Sequence, residues 1–261
     1  MATWVIVGCG YTGSELARRL VADGHDVIVT RRDAANASAT AAELGVTGLA
    51  LDLSRPLPAL PQGAIVVCLA PPGADPAGEV TRLASVCDRL IYVSSTGVYG
   101  AGGGAWVDES WPLAPLTREG AARVAAEAAL PANAVALRAA GIHGPGRGIV
   151  DRLRAGTYRV IGDGRAHVSR IHVADLAQAI ARAGERPDLA GPINVADDAP
   201  DPIGVVADTL AERLGVPAPP RVPPATPDLA GMLLADRRIA NARMKRELGV
   251  VLRYPSWRDL A

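Results

Sequence analysis

The sequence predicts an α/β fold built on a doubly wound parallel sheet. A short apolar strand at residues 3–7 runs straight into Gly8-x-Gly10-x-x-Gly13, and an amphipathic stretch follows with Leu16, Ala17, Leu20 and Val21 at helical spacing. Apolar runs rich in β-branched residues recur at about 26–30, 48–51, 64–69, 89–94 and 134–138, separated by helical or turn-like segments. Such alternation implies parallel strands covered by helices on both faces, joined by right-handed crossovers, with ligands at the carboxyl ends of the strands.

Each element has a local signal. Asp23-Gly24-His25 ends the first helix, with Gly24 suited to a left-handed cap. Ala39 to Leu44, followed by Gly45, reads as a second helical piece. After about residue 140 the texture changes. Gly141-Ile142-His143-Gly144-Pro145-Gly146 is a loop, and Pro217 to Pro227 is dense in proline. Between them, Pro202 to Leu214 carries Val205, Val206, Leu210 and Leu214 at helical spacing, and Asn241 to Leu248 is a helix stopped by Gly249. The expected organisation is a Rossmann-type nucleotide-binding domain over 1–140 and a small C-terminal α/β substrate cap over most of 141–261, with a segment near 165–185 returning to the first domain.

Composition excludes several functions. Twenty-seven basic residues balance 27 acidic ones, which argues against general nucleic-acid or membrane-surface binding. The 49% hydrophobic content supports a substantial core, and with no phenylalanine that core is aliphatic. Cys9, Cys68 and Cys87 form no CxxC or metal-ligand spacing, and no His/Cys/Asp metal cluster stands out. The first strand begins at once, leaving no room for a signal segment, and no apolar run approaches a membrane span; a reducing cytoplasm is the expected compartment.

The glycine turn is the main binding signal. Gly8 permits the tight turn, Gly10 lets the backbone approach a pyrophosphate, and Gly13 lets helix and strand pack closely, while Tyr11 and Thr12 open the helix. The helix N-terminus offers unpaired N–H groups and the positive end of its dipole to phosphates. The second strand ends in Arg31-Arg32, where an NAD site would place an acidic residue; paired guanidinium groups suit a 2′-phosphate, favouring NADP with NAD as the alternative. Asp33 complicates this, since turned inward it would favour NAD. Asp52 and Leu53 after the third run, and Leu69-Ala70-Pro71 after the fourth, complete the expected groove; Asp52 reads equally well as a cap or loop residue.

At the fifth strand the chain reads Leu90-Ile91-Tyr92-Val93-Ser94-Ser95-Thr96-Gly97-Val98-Tyr99-Gly100, followed by Val107-Asp108-Glu109-Ser110 and Pro115. Later come Leu137-Arg138, Gly141-Ile142-His143-Gly144-Pro145-Gly146, Arg170-Ile171-His172-Val173-Ala174-Asp175-Leu176 and Asn194-Val195. Over nearly its whole length the sequence resembles the extended short-chain dehydrogenase/reductases, the group of nucleotide-sugar epimerases and dehydratases. The resemblance implies a substrate-polarising hydroxyl at Ser95 and a Tyr-x-x-x-Lys pair. The tyrosine position, framed by Pro115 and Gly120, holds Glu119; the lysine position falls on Arg123, and a later family glutamate on Glu127. The chain has a single lysine, Lys245, preceded at that spacing by Asn241, so no displaced copy exists. Such replacements resemble the atypical branch of the family.

Glu119 would shuttle a proton only if burial raised its pKa, and Arg123 pulls the other way; the alternative is a helical Glu–Arg pair at i,i+4. Tyr99 and His143 border the expected cleft as possible donors or as packing residues. His172 reads as a satisfied core histidine, Asp108 and Glu109 as loop-ordering residues, and Arg147 and Arg170 as possible anion contacts from the cap. The leading expectation is an NADP-binding, atypical short-chain dehydrogenase/reductase-like oxidoreductase. Ser95 would polarise the carbonyl of a small-molecule substrate, and water, Glu119 or Tyr99 would relay the proton. A non-catalytic NADP-binding sensor or interaction protein is the competing reading, with the alanine-rich helix at 121–129 as a possible homodimer face. A nucleotide-sugar epimerase or dehydratase is the third.

Overall fold

The computed structural model describes residues 2–260. Seven parallel strands form one sheet: β1 (Thr3–Val7), β2 (Asp26–Arg31), β3 (Thr47–Ala50), β4 (Ile65–Cys68), β5 (Arg89–Ser95), β6 (Val135–Ala139) and β7 (Gly191–Val195). Their order in space is β7-β6-β5-β4-β1-β2-β3, so the chain turns back between β1 and β4. A doubly wound sheet binds ligands at that reversal, beyond the carboxyl ends of its strands.

Helices α1 (Tyr11–Ala22), α2 (Ala34–Leu44), α3 (Pro76–Ala84), α4 (Arg118–Ala128) and α6 (Val173–Gly184) cover the sheet, and the short α5 (Ile149–Arg154) lies between the last two in sequence. On one face, Leu16 and Leu20 of α1 pack with Leu176 and Ile180 of α6 and with Trp4, Ile6 and Leu137 of the sheet. On the other, Val80 and Leu83 of α3 and Ala126 of α4 meet Val5, Val66, Leu90 and Tyr92. Period-2 alternation thus feeds two apolar layers, as a sheet buried on both faces requires.

Three more helices follow: α7 (Ile203–Leu214), α8 (Pro227–Ala235) and α9 (Ala242–Leu248). Met244 and Leu248 of α9 join the α1/α6 layer, whereas Ile149, Leu153, Val206, Leu210 and Trp257 build a separate cluster. Short two-residue strand pairs, Trp106–Val107 with Arg238–Ile239 and Val160–Ile161 with Arg221–Val222, tie the C-terminal segments to the rest.

The six expected strands are all present, with the third displaced by one residue to Thr47–Ala50 and the sixth by one residue to Val135–Ala139. β7 was not anticipated, because its Gly191-Pro192 start reads as a turn; Gly191 enters the strand with φ +80°. The second helix starts five residues earlier than expected, since Asp33 caps it by accepting from the Asn36 N–H at 2.8 Å. Among the described residues no helix is long and apolar enough to cross a membrane.

Candidate functional site

The glycine turn has the geometry of a backbone built to approach something. Gly8 has φ +79°, and a Cβ there would lie 2.8 Å from the Ala70 Cα, so only glycine fits where the turn after β1 meets the segment after β4. At Gly13 a Cβ would sit 3.1 Å from Cys9 Sγ and 3.2 Å from Ile6 Cγ2, which fixes the close packing of α1 on β1. Gly10 differs: a Cβ there would meet nothing within 4 Å. As the N-cap of α1 it supplies no side-chain oxygen, so the first turn of the helix has no side-chain cap. Gly8 N–H donates to Thr30 Oγ1 at 3.3 Å and Cys9 N–H to Thr30 O at 3.0 Å, locking the turn to β2. These residues fit the pyrophosphate of a dinucleotide: an uncapped helix N-terminus under a glycine with clear space above it.

Around this turn stand the other expected groove residues. Tyr11 donates its hydroxyl to the Pro145 carbonyl at 3.1 Å, and the Arg147 guanidinium lies 5.4 Å from its ring centre. Thr12 is buried. Arg31 Nε donates to Thr40 Oγ1 at 3.2 Å, while Arg32 is exposed beside it. The Asp33 carboxylate is taken up by Asn36, through the backbone N–H and the side-chain amide at 2.7 Å, and these bonds lower its pKa. Asp52 is likewise occupied, accepting from the Ser54 N–H at 3.0 Å and hydroxyl at 2.7 Å, which hold its pKa below the usual range. Leu53, Ala70 and Pro71 meet in one narrow crevice with Pro72 and Tyr92, and Leu69 N–H bonds back to Val7 O at 2.8 Å.

A second cleft of about 320 Å³ opens past the end of β5. Ser95, Tyr99, Glu119 and Arg123 all line it. Ser95 ends β5 and its Oγ accepts from the Gly97 N–H at 3.0 Å, which leaves the hydroxyl proton for another acceptor. Arg123 donates to Glu119 Oε1 at 3.1 Å and to the Val93 carbonyl at 2.9 Å. The Glu119 side chain is 67% exposed, and the pair is the i,i+4 helix contact.

Tyr99 meets the cleft only with its buried body. Its hydroxyl donates to Asn194 Oδ1 at 2.7 Å and accepts from Arg138 Nη1 at 2.9 Å. Arg138 in turn meets Glu127, which also accepts from Ser94 Oγ at 2.5 Å. The proton-relay role expected for Tyr99 does not suit this geometry, because the phenol is a saturated member of an internal network and burial raises its pKa. Glu109 joins the same network by accepting from the Asn194 N–H at 2.8 Å, and Asp108 orders its loop by accepting from Ser110 at 3.0 Å.

His143 and His172 do not line the cleft beside Ser95. His143 is buried edge-on to His172, with ring centres 5.3 Å apart, and burial pushes its pKa down to about 4. His172 caps α6 through the Ala174 N–H at 3.2 Å and stacks on Tyr254 at 3.6 Å, a packed residue as expected. Arg170 is also internal, bonded to the Val168 carbonyl at 2.9 Å, and does not line the cleft as an anion contact. Among the described residues no group of three or more His, Cys, Asp or Glu is arranged to hold a metal.

Sequence reading missed the far wall of the cleft, formed by His167, Val168 and Ser169 together with Met232, Arg237 and Ile239. His167 Nδ1 lies 2.8 Å from Asp236 Oδ1 and Nε2 lies 3.2 Å from Arg238 Nη2, so both ring nitrogens are engaged. Asp236 has φ +34°, the one positive φ outside glycine among the described residues, and its carboxylate also accepts from the His167 N–H at 2.8 Å.

Comparisons with known proteins agree with this architecture. Residues 3–77 match the family model described as NADP oxidoreductase coenzyme F420-dependent, and residues 77–196 match that of the NAD dependent epimerase/dehydratase family. A functionally unknown conserved protein from Silicibacter pomeroyi DSS is 33% identical, with a TM-score of 0.83 over 99% of this chain and 96% of its own. A putative NAD-dependent epimerase/dehydratase from Methylobacillus flagellatus is 26% identical, with a TM-score of 0.74 over 99% and 95%. The human epimerase family protein SDR39U1, solved with NADPH, shares the fold at 20% identity, with a TM-score of 0.80 over 98% and 96%. No curated protein matches the sequence.

Proposed function

From the premise that the chain belongs to the NAD-dependent epimerase/dehydratase-like family of short-chain dehydrogenases/reductases, we propose that it is an NADP-dependent oxidoreductase acting on a small carbonyl or alcohol substrate. The observation that carries this reading is the uncapped N-terminus of α1 beneath Gly10, open to a pyrophosphate and close in the fold to the segments after β2 and β4. Arg31 and Arg32 support NADP over NAD. With Asp33 turned to capping α2, they are the groups left to meet a 2′-phosphate at the end of β2. The human epimerase family protein SDR39U1, which shares the fold, was solved with NADPH, in keeping with this choice.

When bound, the nicotinamide supplies or accepts the hydride. The protein does the rest. Ser95 donates its free hydroxyl proton in a hydrogen bond to the substrate oxygen, polarising the carbonyl for reduction. The proton that completes the alcohol comes from solvent through the open mouth of the cleft, because Glu119 is paired and exposed and Tyr99 is closed off. Without the Tyr-x-x-x-Lys pair, this chemistry is slower than a tyrosine-equipped site would support.

Ser95→Ala tests the role directly. Turnover with a reducible carbonyl compound is expected to fall ten-fold or more, with NADPH affinity unchanged; equal turnover removes Ser95 from the chemistry. One observation favours a second reading, a non-catalytic NADP-binding protein: both candidate proton donors, Glu119 and Tyr99, are committed to other contacts. In that case no carbonyl compound is reduced while NADPH still binds.

A further inference from the structure

The cleft beside Ser95 contains one cation that the protein leaves without a counter-ion. Arg237 follows the strained Asp236 corner and lies half-buried in the wall. Its Nη1 donates to the carbonyls of Tyr99 and of Gly100, the latter at 2.7 Å, so the guanidinium is fixed by neutral dipoles alone. Burial pushes its pKa down, and no Asp or Glu carboxylate acts to raise it again. Half-buried charges ordinarily find an opposite charge, because the lost hydration of an isolated ion is otherwise uncompensated.

The other charged groups at the cleft are already engaged. Arg123 holds Glu119 at 3.1 Å. Asp236 holds His167, whose Nε2 meets Arg238. Asp228 is exposed in the first turn of α8, where its carboxylate faces the Arg118 N–H. Arg237 Nε and Nη2, the parallel pair of donors on the guanidinium edge away from Nη1, have no hydrogen-bond partner among the described residues. Two parallel N–H donors match the two oxygens of a carboxylate. Leu116, Met232 and Ile239 line the same cleft with apolar surface, and a volume of about 320 Å³ suits a molecule at the small end of ligand size.

We propose that this cleft binds a small carboxylate-bearing carbonyl compound, with the carboxylate on the Nε/Nη2 edge of Arg237 and the carbonyl oxygen toward the Ser95 hydroxyl. The carbonyl half rests on the oxidoreductase reading; the anion half stands on Arg237 alone. Arg237 is then a specificity residue of the cleft, and an ester or amide of the same skeleton is rejected because it leaves the guanidinium unpaired.

The test uses the full chain with three probe acids of increasing length (pyruvate, 4-oxopentanoate and benzoylformate), each paired with its neutral methyl ester. Binding is followed by ligand-observed NMR, with and without saturating NADPH. At least one acid is expected to bind ten-fold or more tightly than its ester. Arg237→Gln should bring acid and ester within two-fold, and Arg237→Lys should keep part of the preference. The Gln variant is compared only if its circular dichroism and melting match the parent; otherwise the Lys variant carries the comparison through a reduced acid-to-ester ratio. Equal binding of acids and esters, absence of binding by every probe, or an unchanged ratio in both variants overturns the proposal. If the acids bind but NADPH does not, the cleft assignment survives and the oxidoreductase reading fails.

Discussion

The Arg138 guanidinium and the Glu127 carboxylate meet at 2.7 Å with both side chains more than nine-tenths out of solvent. Breaking such a pair from one side strands a charge in the interior. Glu127→Ala is therefore expected to cost about 3–5 kcal/mol of stability. Glu119→Ala, which removes the exposed partner of Arg123, is expected to cost less than about 0.5 kcal/mol. Urea unfolding of the two variants side by side checks the contrast; similar losses would mean that the α4 pairs are not divided between interior and surface.

Tyr99→Phe deletes the oxygen that joins Arg138 to Asn194. Asn194 Oδ1 then lacks a partner and Arg138 Nη1 keeps only the Glu109 carbonyl at 3.4 Å, so a loss of about 1–3 kcal/mol is expected. NADPH affinity and the activity per folded molecule should not change, because the hydroxyl faces the network. A large fall in kcat with normal stability would restore Tyr99 to the chemistry.

Two glycines of one turn should respond differently to the same methyl group. Gly8→Ala places a Cβ 2.8 Å from Ala70 at a positive φ, so both folding and nucleotide binding should suffer. Gly10→Ala meets no protein atom within 4 Å. Its melting temperature should stay within a degree or two of the parent while NADPH affinity falls at least ten-fold. Unchanged affinity in a folded Gly10→Ala variant would mean that nothing approaches that backbone.

Two buried groups set opposite pH dependences. Burial raises the Asp197 carboxyl to about 7, so between pH 4 and 7 the native state holds a proton that the unfolded chain releases, and stability falls as pH rises through that window. Burial lowers His143 to about 4, so between pH 6.5 and 4 the unfolded chain takes up a proton that the native state refuses, and stability falls as pH drops. Asp197→Asn should remove the first loss and gain on the order of a few kcal/mol at pH 8 relative to the parent, with little difference at pH 4. His143→Gln should flatten the acid side instead. Unfolding free energies measured from pH 4 to 8 check both signs.

Much of this was legible because it is local. Gly8, Gly10 and Gly13 follow an apolar strand directly, so their backbone roles can be read from the order of elements, and Glu119 with Arg123 announces its own i,i+4 contact. Ser95 was found through its family resemblance. The far wall of the cleft was not legible. His167, Asp236 and Arg237 come from loops that only the tertiary fold brings against β5, and Asp236 adopts a positive φ that sequence does not signal for aspartate. Which of the two readings held for Tyr99 was not legible for the same reason: its hydroxyl is claimed by Arg138 and Asn194, 39 and 95 residues away. β7 was hidden by the Gly-Pro pair at its start.

Titration of the purified protein with NADPH and with NADH, followed by nicotinamide fluorescence, tests the nucleotide site most directly. Saturable binding with NADPH at least ten-fold tighter than NADH is expected, with the preference lost in an Arg31→Ala/Arg32→Ala variant. Binding of neither nucleotide would contradict the assignment of the glycine turn and, with it, the oxidoreductase reading.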